Sequence, residues 1–158
     1  MKLNGERAGV RPMTAADLGR VLQIAGSLKE APAWPAAAWE KALEPESAPR
    51  RVCLVAEDRV GEAVVGFAVA CVVGEQAELE SIGVAGESQR RGVARLLFGA
   101  LAAELKAAGA REVILEVRDS NRAARGLYLS LGFAETGRRR RYYHDPEEDA
   151  VLMALRRG

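Results

Sequence analysis

The sequence predicts one α/β domain over residues 1–158, built as a mixed sheet with helices on both faces. Three observations carry that expectation. Antiparallel strand pairs come first, a strand–helix–strand crossover follows, and a final strand pair closes the chain. The crossover is expected to be right-handed. A chain of 158 residues is long enough to bury a real core.

Val10, Arg11 and Pro12 read as a short strand. Residues 13–17 start a helix with Thr14 as its candidate N-cap, and Leu18, Val21, Leu22 and Leu28 form the apolar stripe. Pro35 suits the first turn of a second helix ending near Leu43, since that turn needs no N–H from it. Residues 44–49 form a loop. Strands over 51–56 and 63–73 are joined by a turn near 58–61, and another strand covers 76–84. A long amphipathic helix runs over about 92–108, with Gly109 as its stop. A Val-, Ile- and Leu-rich strand covers 111–117, and a helix over 121–131 is closed by Gly132. Strands over 133–143 and 150–155 complete the sheet.

A net charge of +1 argues against a general nucleic-acid binder, which is normally strongly basic. The longest apolar run, 63–73, is far short of the roughly 20 residues a membrane span needs. The N-terminus lacks the basic, apolar and small-residue pattern of a signal peptide, so the cytoplasm is the expected compartment. Cys53 and Cys71 sit in separate apolar runs and read as reduced core thiols. His144, the only histidine, lies in a polar turn and reads as a solvated loop residue. A histidine-dependent nucleophile or a multi-histidine metal site is not expected.

The segment 84–94, VAGESQRRGVA, joins the 76–84 strand to the long helix through a basic, glycine-containing turn. The start of a helix presents unpaired N–H groups and roughly half a positive charge, so this turn is suited to an anion such as a phosphate. It is neither a GxxxxGK[ST] loop nor a GxGxxG fingerprint. Spacing alone leaves open an ordinary turn with two solvated arginines.

Gln89-Arg90-Arg91-Gly92-Val93-Ala94 resembles the Q/R-x-x-G-x-G/A signature of the GNAT superfamily of acyl-CoA N-acetyltransferases. The resemblance continues through 115–121 (LEVRDSN), 123–128 (AARGLY) and Leu131-Gly132-Phe133. It narrows to the RimI-type ribosomal-protein-alanine N-acetyltransferases in Arg141-Tyr142-Tyr143 and 148–153 (EDAVLM), with Trp34-Pro35 and Trp39 upstream. It covers nearly the whole chain and is strongest over 75–153.

The resemblance implies a GNAT fold in which the 76–84 and 111–117 strands splay apart and the acyl-CoA enters the gap. It implies acetyl-CoA as cosubstrate and no metal. The backbone of Arg90, Arg91, Gly92, Val93, Ala94 and Arg95 would hold the pyrophosphate. Ile82, Gly83 and Val84 would offer backbone groups to the pantetheine arm and the acetyl carbonyl, so their side chains would matter little. Gly83 stands where alanine is usual and Gly86 where proline is frequent, both read as mild departures. Asn121 would touch the coenzyme, and Trp34 and Tyr142 would lie near the acceptor peptide. The implied acceptor is the N-terminal alanine of a small-subunit ribosomal protein.

Acetyl transfer to an amine needs a neutral amine, a cradle for the oxyanion and a proton for the leaving thiolate. Glu116 interrupts an apolar strand on the face opposite Val113, Leu115 and Val117, and is the first candidate base. An ion pair with an arginine such as Arg118 is the alternative, and the resemblance favours the base. Glu80 and Glu78 are runners-up, because many GNAT enzymes place the base on the preceding strand. Tyr128 is either a packed core tyrosine or, as the resemblance implies, the general acid. Asn121 can cap its helix and still reach the coenzyme. Residues 138–141, all arginine, alternate between faces on a strand. They read as a solvated strand end, with electrostatic guidance of a ribosomal partner as the second option. Two other readings of function stay open: a GNAT enzyme acting on lysine side chains or a small amine, and a non-catalytic acyl-CoA-binding sensor.

Overall fold

Strand and helix signals settle into eleven elements in the computed structural model, which describes residues 8–28, 34–46, 48–60 and 62–156. They are β1 (Ala8–Pro12), α1 (Leu18–Ser27), α2 (Ala36–Ala42), β2 (Arg50–Asp58), β3 (Ala63–Val73), β4 (Gln76–Val84), α3 (Val93–Ala107), β5 (Glu112–Arg118), α4 (Arg122–Ser130), β6 (Ala134–Tyr143) and β7 (Glu148–Arg156). The expected elements are all present, with shifted ends. Ser47, expected in a loop, and Gly61, expected in a turn, lie outside the described residues.

The first helix differs at its start. A 3-10 turn, Ala15–Asp17, precedes α1. Asp17 organises it by reaching back: its carboxylate accepts the Thr14 backbone N–H at 2.8 Å and both terminal nitrogens of Arg11 at 2.8 Å. The buried stripe of α1 is Leu18, Val21 and Ile24. In α2, Pro35 sits one position before the helix and acts as its N-cap.

The seven strands form one sheet in the order β1-β2-β3-β4-β5-β7-β6. Every neighbouring pair is antiparallel except β4 and β5. One face is covered by α3, whose Val93, Leu97, Phe98, Leu101, Ala102 and Leu105 are buried at helical spacing. They join Leu79, Val113, Leu115, Val117 and Met153 in one apolar cluster, with Tyr128 of α4 and the Leu131 that follows it packed against it. The other face is covered by α1 and α2, where Trp39 packs edge-on to Phe67 at 5.5 Å. These helices stand over β2 to β4.

Two irregularities position the site. In β4, Ser81 pairs with Val69 and Leu79 with Ala70, which leaves Glu80 as a bulged residue. Beyond it, the parallel ladder of β4 and β5 is short. Its partners are Gln76↔Glu112, Ala77↔Val113 and Glu78↔Ile114, and there it stops. β5 continues on its other side with β7 as far as Arg118↔Ala150. The two central strands therefore part after Glu78 and Ile114, as the resemblance implied. No helix among the described residues is long and apolar enough to cross a membrane.

The Arg11–Asp17 contact makes a pH prediction. The guanidinium holds the Asp17 carboxyl down at about 2, and the Asp17 side chain is only 8% exposed. Because the folded value is lowered, this stabilisation is present above the ordinary carboxylate range and is lost as pH falls towards 2. Melting series between pH 5 and pH 2 should show roughly 2 kcal/mol more acid destabilisation in wild type than in Asp17→Asn. Parallel acid profiles would count against it.

Candidate active site

The turn between β4 and α3 is shaped by backbone conformation. Gln89 donates its side-chain amide to the Val84 carbonyl at 3.0 Å, tying the turn to the end of β4. Arg90 has φ 63° and Gly92 has φ 85°, both left-handed, on either side of Arg91. Gly92 caps α3 in that conformation, which glycine adopts without a Cβ penalty. The first bond within the helix runs from the Leu96 N–H to the Gly92 carbonyl at 3.0 Å. The N–H groups of Val93, Ala94 and Arg95 precede it and are not used by the helix. The loop and the helix start make a cradle suited to an anion at the mouth of the gap between β4 and β5. Arg90 and Arg91 are exposed beside it, and the Arg95 guanidinium donates to Ser130 Oγ at 3.1 Å.

Ile82, Gly83 and Val84 lie on the part of β4 that has left β5. At Gly83 the expectation that side-chain identity matters little is corrected. A Cβ there would lie 2.7 Å from Leu28 Cδ1 and 2.7 Å from Phe67 Cε1. Phe67 is fully buried, so an alanine at 83 would have to displace a packed ring. Gly86 has open space around its Cβ position, and its departure from proline is structurally mild.

Three carboxylates gather on the sheet face beside α2. Glu80, on its bulge, takes Arg51 of β2 in a two-point contact at 2.9 and 3.2 Å. Arg51 also lies over the Trp34 ring, 5.8 Å from its centroid. Across the gap, Glu116 projects on the face opposite Val113, Leu115 and Val117, as its position in the strand predicts. Its ion-pair partner is Arg139 of β6, at 3.2 Å. The expected alternative partner, Arg118, is engaged instead with Glu148 at 3.1 Å. The Tyr142 phenol lies beside the Glu116 carboxylate, whose influence is the leading cause of the phenol's upward pKa shift. Glu78 is pushed up by desolvation first, then by the charges of Glu80 and Glu116. Glu78, Glu116, Arg139 and Leu152 help line a cleft of about 210 Å³.

On the opposite face, Tyr128 of α4 packs against Phe133, with ring centroids 5.8 Å apart. The chain returns there because Gly132, at φ 102°, lets the Phe133 N–H reach the Tyr128 carbonyl at 3.0 Å. Burial pushes the Tyr128 phenol up to about 12, so it keeps its proton at neutral pH. Asn121 caps α4 by accepting the Ala124 N–H at Oδ1, 3.1 Å away, which leaves its amide nitrogen outside the cap.

Trp34 packs on Trp39 at 4.9 Å, and Tyr142 is exposed on β6. They stand on two sides of the acidic cluster, Trp34 through Arg51 and Tyr142 through Glu116. The arginine run is not simply a solvated strand end. Arg138 pairs with Asp119 at 3.0 Å, Arg139 with Glu116, and Arg141 with Glu147 at 3.1 Å. Sequence reading missed Arg51 and Arg139 as members of the site. Strand parity was the one available signal, since it sets Arg139 on the face opposite Arg138. Cys53 and Cys71 are free thiols. Burial pushes Cys53 up to about 11, so it stays a thiol at neutrality. His144 is exposed in its turn. No group of three or more metal-ligating side chains occurs among the described residues.

The family described as Acetyltransferase (GNAT) family matches residues 20–133. The ribosomal protein bS18-alanine N-acetyltransferase of Salmonella typhimurium is 45% identical over 104 residues, covering 65% of this chain and 68% of that protein. Its counterpart in Escherichia coli K12 is 46% identical over 94 residues, covering 58% and 64%. The chain thus matches about two thirds of the length of these relatives. The crystal structure of the Escherichia coli ribosomal-protein-S18-alanine N-acetyltransferase superposes with a TM-score of 0.81 at 33% identity, over 94% of this chain and 93% of that one. With its parted central strands and its anion cradle at the start of α3, this chain belongs to the GNAT family of acetyltransferases, whose cosubstrate is acetyl-CoA.

Proposed function

We propose that this protein transfers the acetyl group of acetyl-CoA to the N-terminal α-amine of a ribosomal protein, with alanine as the acceptor residue, in the cytoplasm. One observation carries the reading. The gap between β4 and β5 has the anion cradle at its mouth and Glu116 on its β5 wall. The named relatives supply the acceptor class.

In this reading the backbone of Arg90 to Arg95 takes the coenzyme pyrophosphate, and Asn121 contacts the coenzyme. The pantetheine arm runs along the β4 edge at Ile82, Gly83 and Val84, whose backbone groups are not committed to β5. The acceptor N-terminus enters between Trp34 and Tyr142. Glu116 takes a proton from the amine, which attacks the thioester carbonyl. A carbon–nitrogen bond forms, the carbon–sulfur bond breaks, and Tyr128 gives its proton to the thiolate. An α-amine has a pKa near 8, against about 10.4 for lysine, so a single carboxylate is a sufficient base. Both substrates are held together, and no covalent enzyme intermediate is needed.

Glu80 is the less accessible candidate because both of its oxygens are engaged by Arg51. The pairing of Arg138, Arg139 and Arg141 with carboxylates supports a reading without direct nucleic-acid binding. A panel of N-terminal peptides incubated with acetyl-CoA, with the acetyl group located by mass spectrometry, tests the acceptor. Acetylation confined to lysine side chains would transfer the reading to that acceptor class. Binding of acetyl-CoA with no transfer to any amine would favour a sensor.

Three substitutions test the machinery. Gly92→Asp places a Cβ and a negative charge on a left-handed residue in the cradle, and should abolish acetyl-CoA binding in calorimetry while the fold persists. Undiminished affinity would remove the cradle from the site. Glu116→Gln should lower turnover by roughly 10²–10⁴-fold with coenzyme affinity little changed. Near-normal turnover there, with a large loss in Glu80→Gln, would move the base to β4. Tyr128→Phe keeps the packed ring and removes the hydroxyl. It should slow single-turnover acetylation at least about tenfold, whereas a purely packed tyrosine would leave the rate at wild type.

A further inference from the structure

Glu116, Arg139 and Tyr142 stand together at the cleft, joined through Arg139. Arg139 Nε lies 3.2 Å from Glu116 Oε1, and the Arg139 guanidinium sits over the Tyr142 ring, 5.6 Å from its centroid, so the phenol stands beside the same ion pair. The two charged members differ in freedom. The Glu116 side chain is 23% exposed on β5, held there by its ladder with β7, while Arg139 is 59% exposed on the edge strand β6. The cation is therefore the end that can leave. The charge count around it is uneven. Glu78, Glu80 and Glu116 bring three carboxylates, Arg51 occupies Glu80 from two points, and Arg139 acts on both Glu78 and Glu116. One negative charge is left over in a cleft that the proposed reaction must fill with an ammonium group.

We propose that Arg139 is a displaceable counter-ion for Glu116: it holds the carboxylate in position in the acceptor-free protein and gives way to the acceptor's N-terminal ammonium group. Arg139 is thus a positioning residue, acting through Glu116, and the inference rests on the reading of Glu116 as base. The ammonium offers the carboxylate the same charge and hydrogen-bond donors as the guanidinium, so the exchange exposes no unpaired ion. Glu78 stands by as the second anion that Arg139 already feels, and it gives the released guanidinium a place to go. The other groups around Glu116 are fixed elsewhere. Arg118 is held by Glu148, and its guanidinium lies 4.3 Å from the Tyr143 ring centroid. Tyr143 is half-buried and feels the Glu116 charge. Arg51 remains on Glu80.

The test is the pH dependence of kcat/KM for an N-terminal alanine peptide in wild type, Arg139→Gln and Arg139→Lys. Removing a neighbouring cation favours the protonated carboxyl, so the acid-side limb should move to higher pH in Arg139→Gln. For a partly exposed pair a displacement of roughly half a pH unit is expected. Relative to its own plateau, the variant then runs about threefold slower than wild type on the acid limb. Arg139→Lys keeps the charge and should restore the limb. A limb that stays in place in Arg139→Gln, or a uniform loss at every pH that lysine does not rescue, would overturn the proposal. A second measurement needs no activity. Carboxyl ¹³C titration of the acceptor-free protein, with Glu116→Gln to assign the signal, should show the Glu116 midpoint rising in Arg139→Gln. If Glu116→Gln turns over normally, the base reading fails by itself, and the carboxyl titration still decides whether Arg139 is the counter-ion.

Discussion

The proposed function of this molecule depends on the place where β4 and β5 stop pairing. Three parallel residue pairs hold the centre of the sheet together, and beyond Glu78 and Ile114 the ladder ends. In most sheets a broken central ladder would leave buried backbone groups without partners, at a cost comparable to lost hydrogen bonds. Here the flanking strands keep their own ladders, β3 with β4 and β5 with β7, so the sheet stays continuous at its lower end and opens at the other. The freed edge is what an extended, amide-bearing coenzyme arm requires. The turn that follows β4 then delivers the start of α3 to the mouth of the same opening.

The two faces of the sheet take different tasks because their helices cover different strands. The α3 side is apolar and closed, and it holds Tyr128 in a setting that keeps the phenol protonated. On the other side α1 and α2 stop over β2 to β4, and the surface over β5 is left to Glu116, Arg139 and Leu152. Acid and base candidates thus approach the gap from opposite faces. Their environments differ: Tyr128 is desolvated among aromatic rings, and Glu116 is set in a network of charges.

Much of this could be read in the sequence wherever the signal was local. Gln89 and Gly92 stand at the spacing of the anion turn, and Gly109 and Gly132 mark helix ends, both in the left-handed conformation such ends require. Glu116 announced itself by breaking an apolar strand, and strand parity alone placed it on the correct face. What stayed hidden depends on register between distant segments. Arg118, two residues away on the same strand face, was the natural partner for Glu116. The actual partner, Arg139, is brought opposite by the pairing of β6 through β7 and by a register shift between Glu135 and Gly137. The bulge at Glu80 and the crowding at Gly83 are hidden for the same reason, since both are set by how β3 lies against β4. The parting of the strands leaves no trace in composition or periodicity.

Gly83 ties the two ends of the molecule together mechanically. The space that a methyl group would occupy is already filled by the ring of Phe67 and the tip of Leu28. Phe67 in turn meets Trp39 of α2, and Trp39 meets Trp34 at the edge of the acidic cluster. The strand proposed to carry the coenzyme and the helices proposed to frame the acceptor are therefore in van der Waals register through one unbroken row of side chains. A change in how the helices seat, whether from an inherited substitution or from an arriving peptide pressing on Trp34, reaches the backbone at 83 without passing through any charged residue. The acceptor side and the donor side of such a molecule cannot drift independently: a new acceptor preference that repacks the tryptophan pair must also keep the β4 wall where a glycine, and nothing larger, can stand.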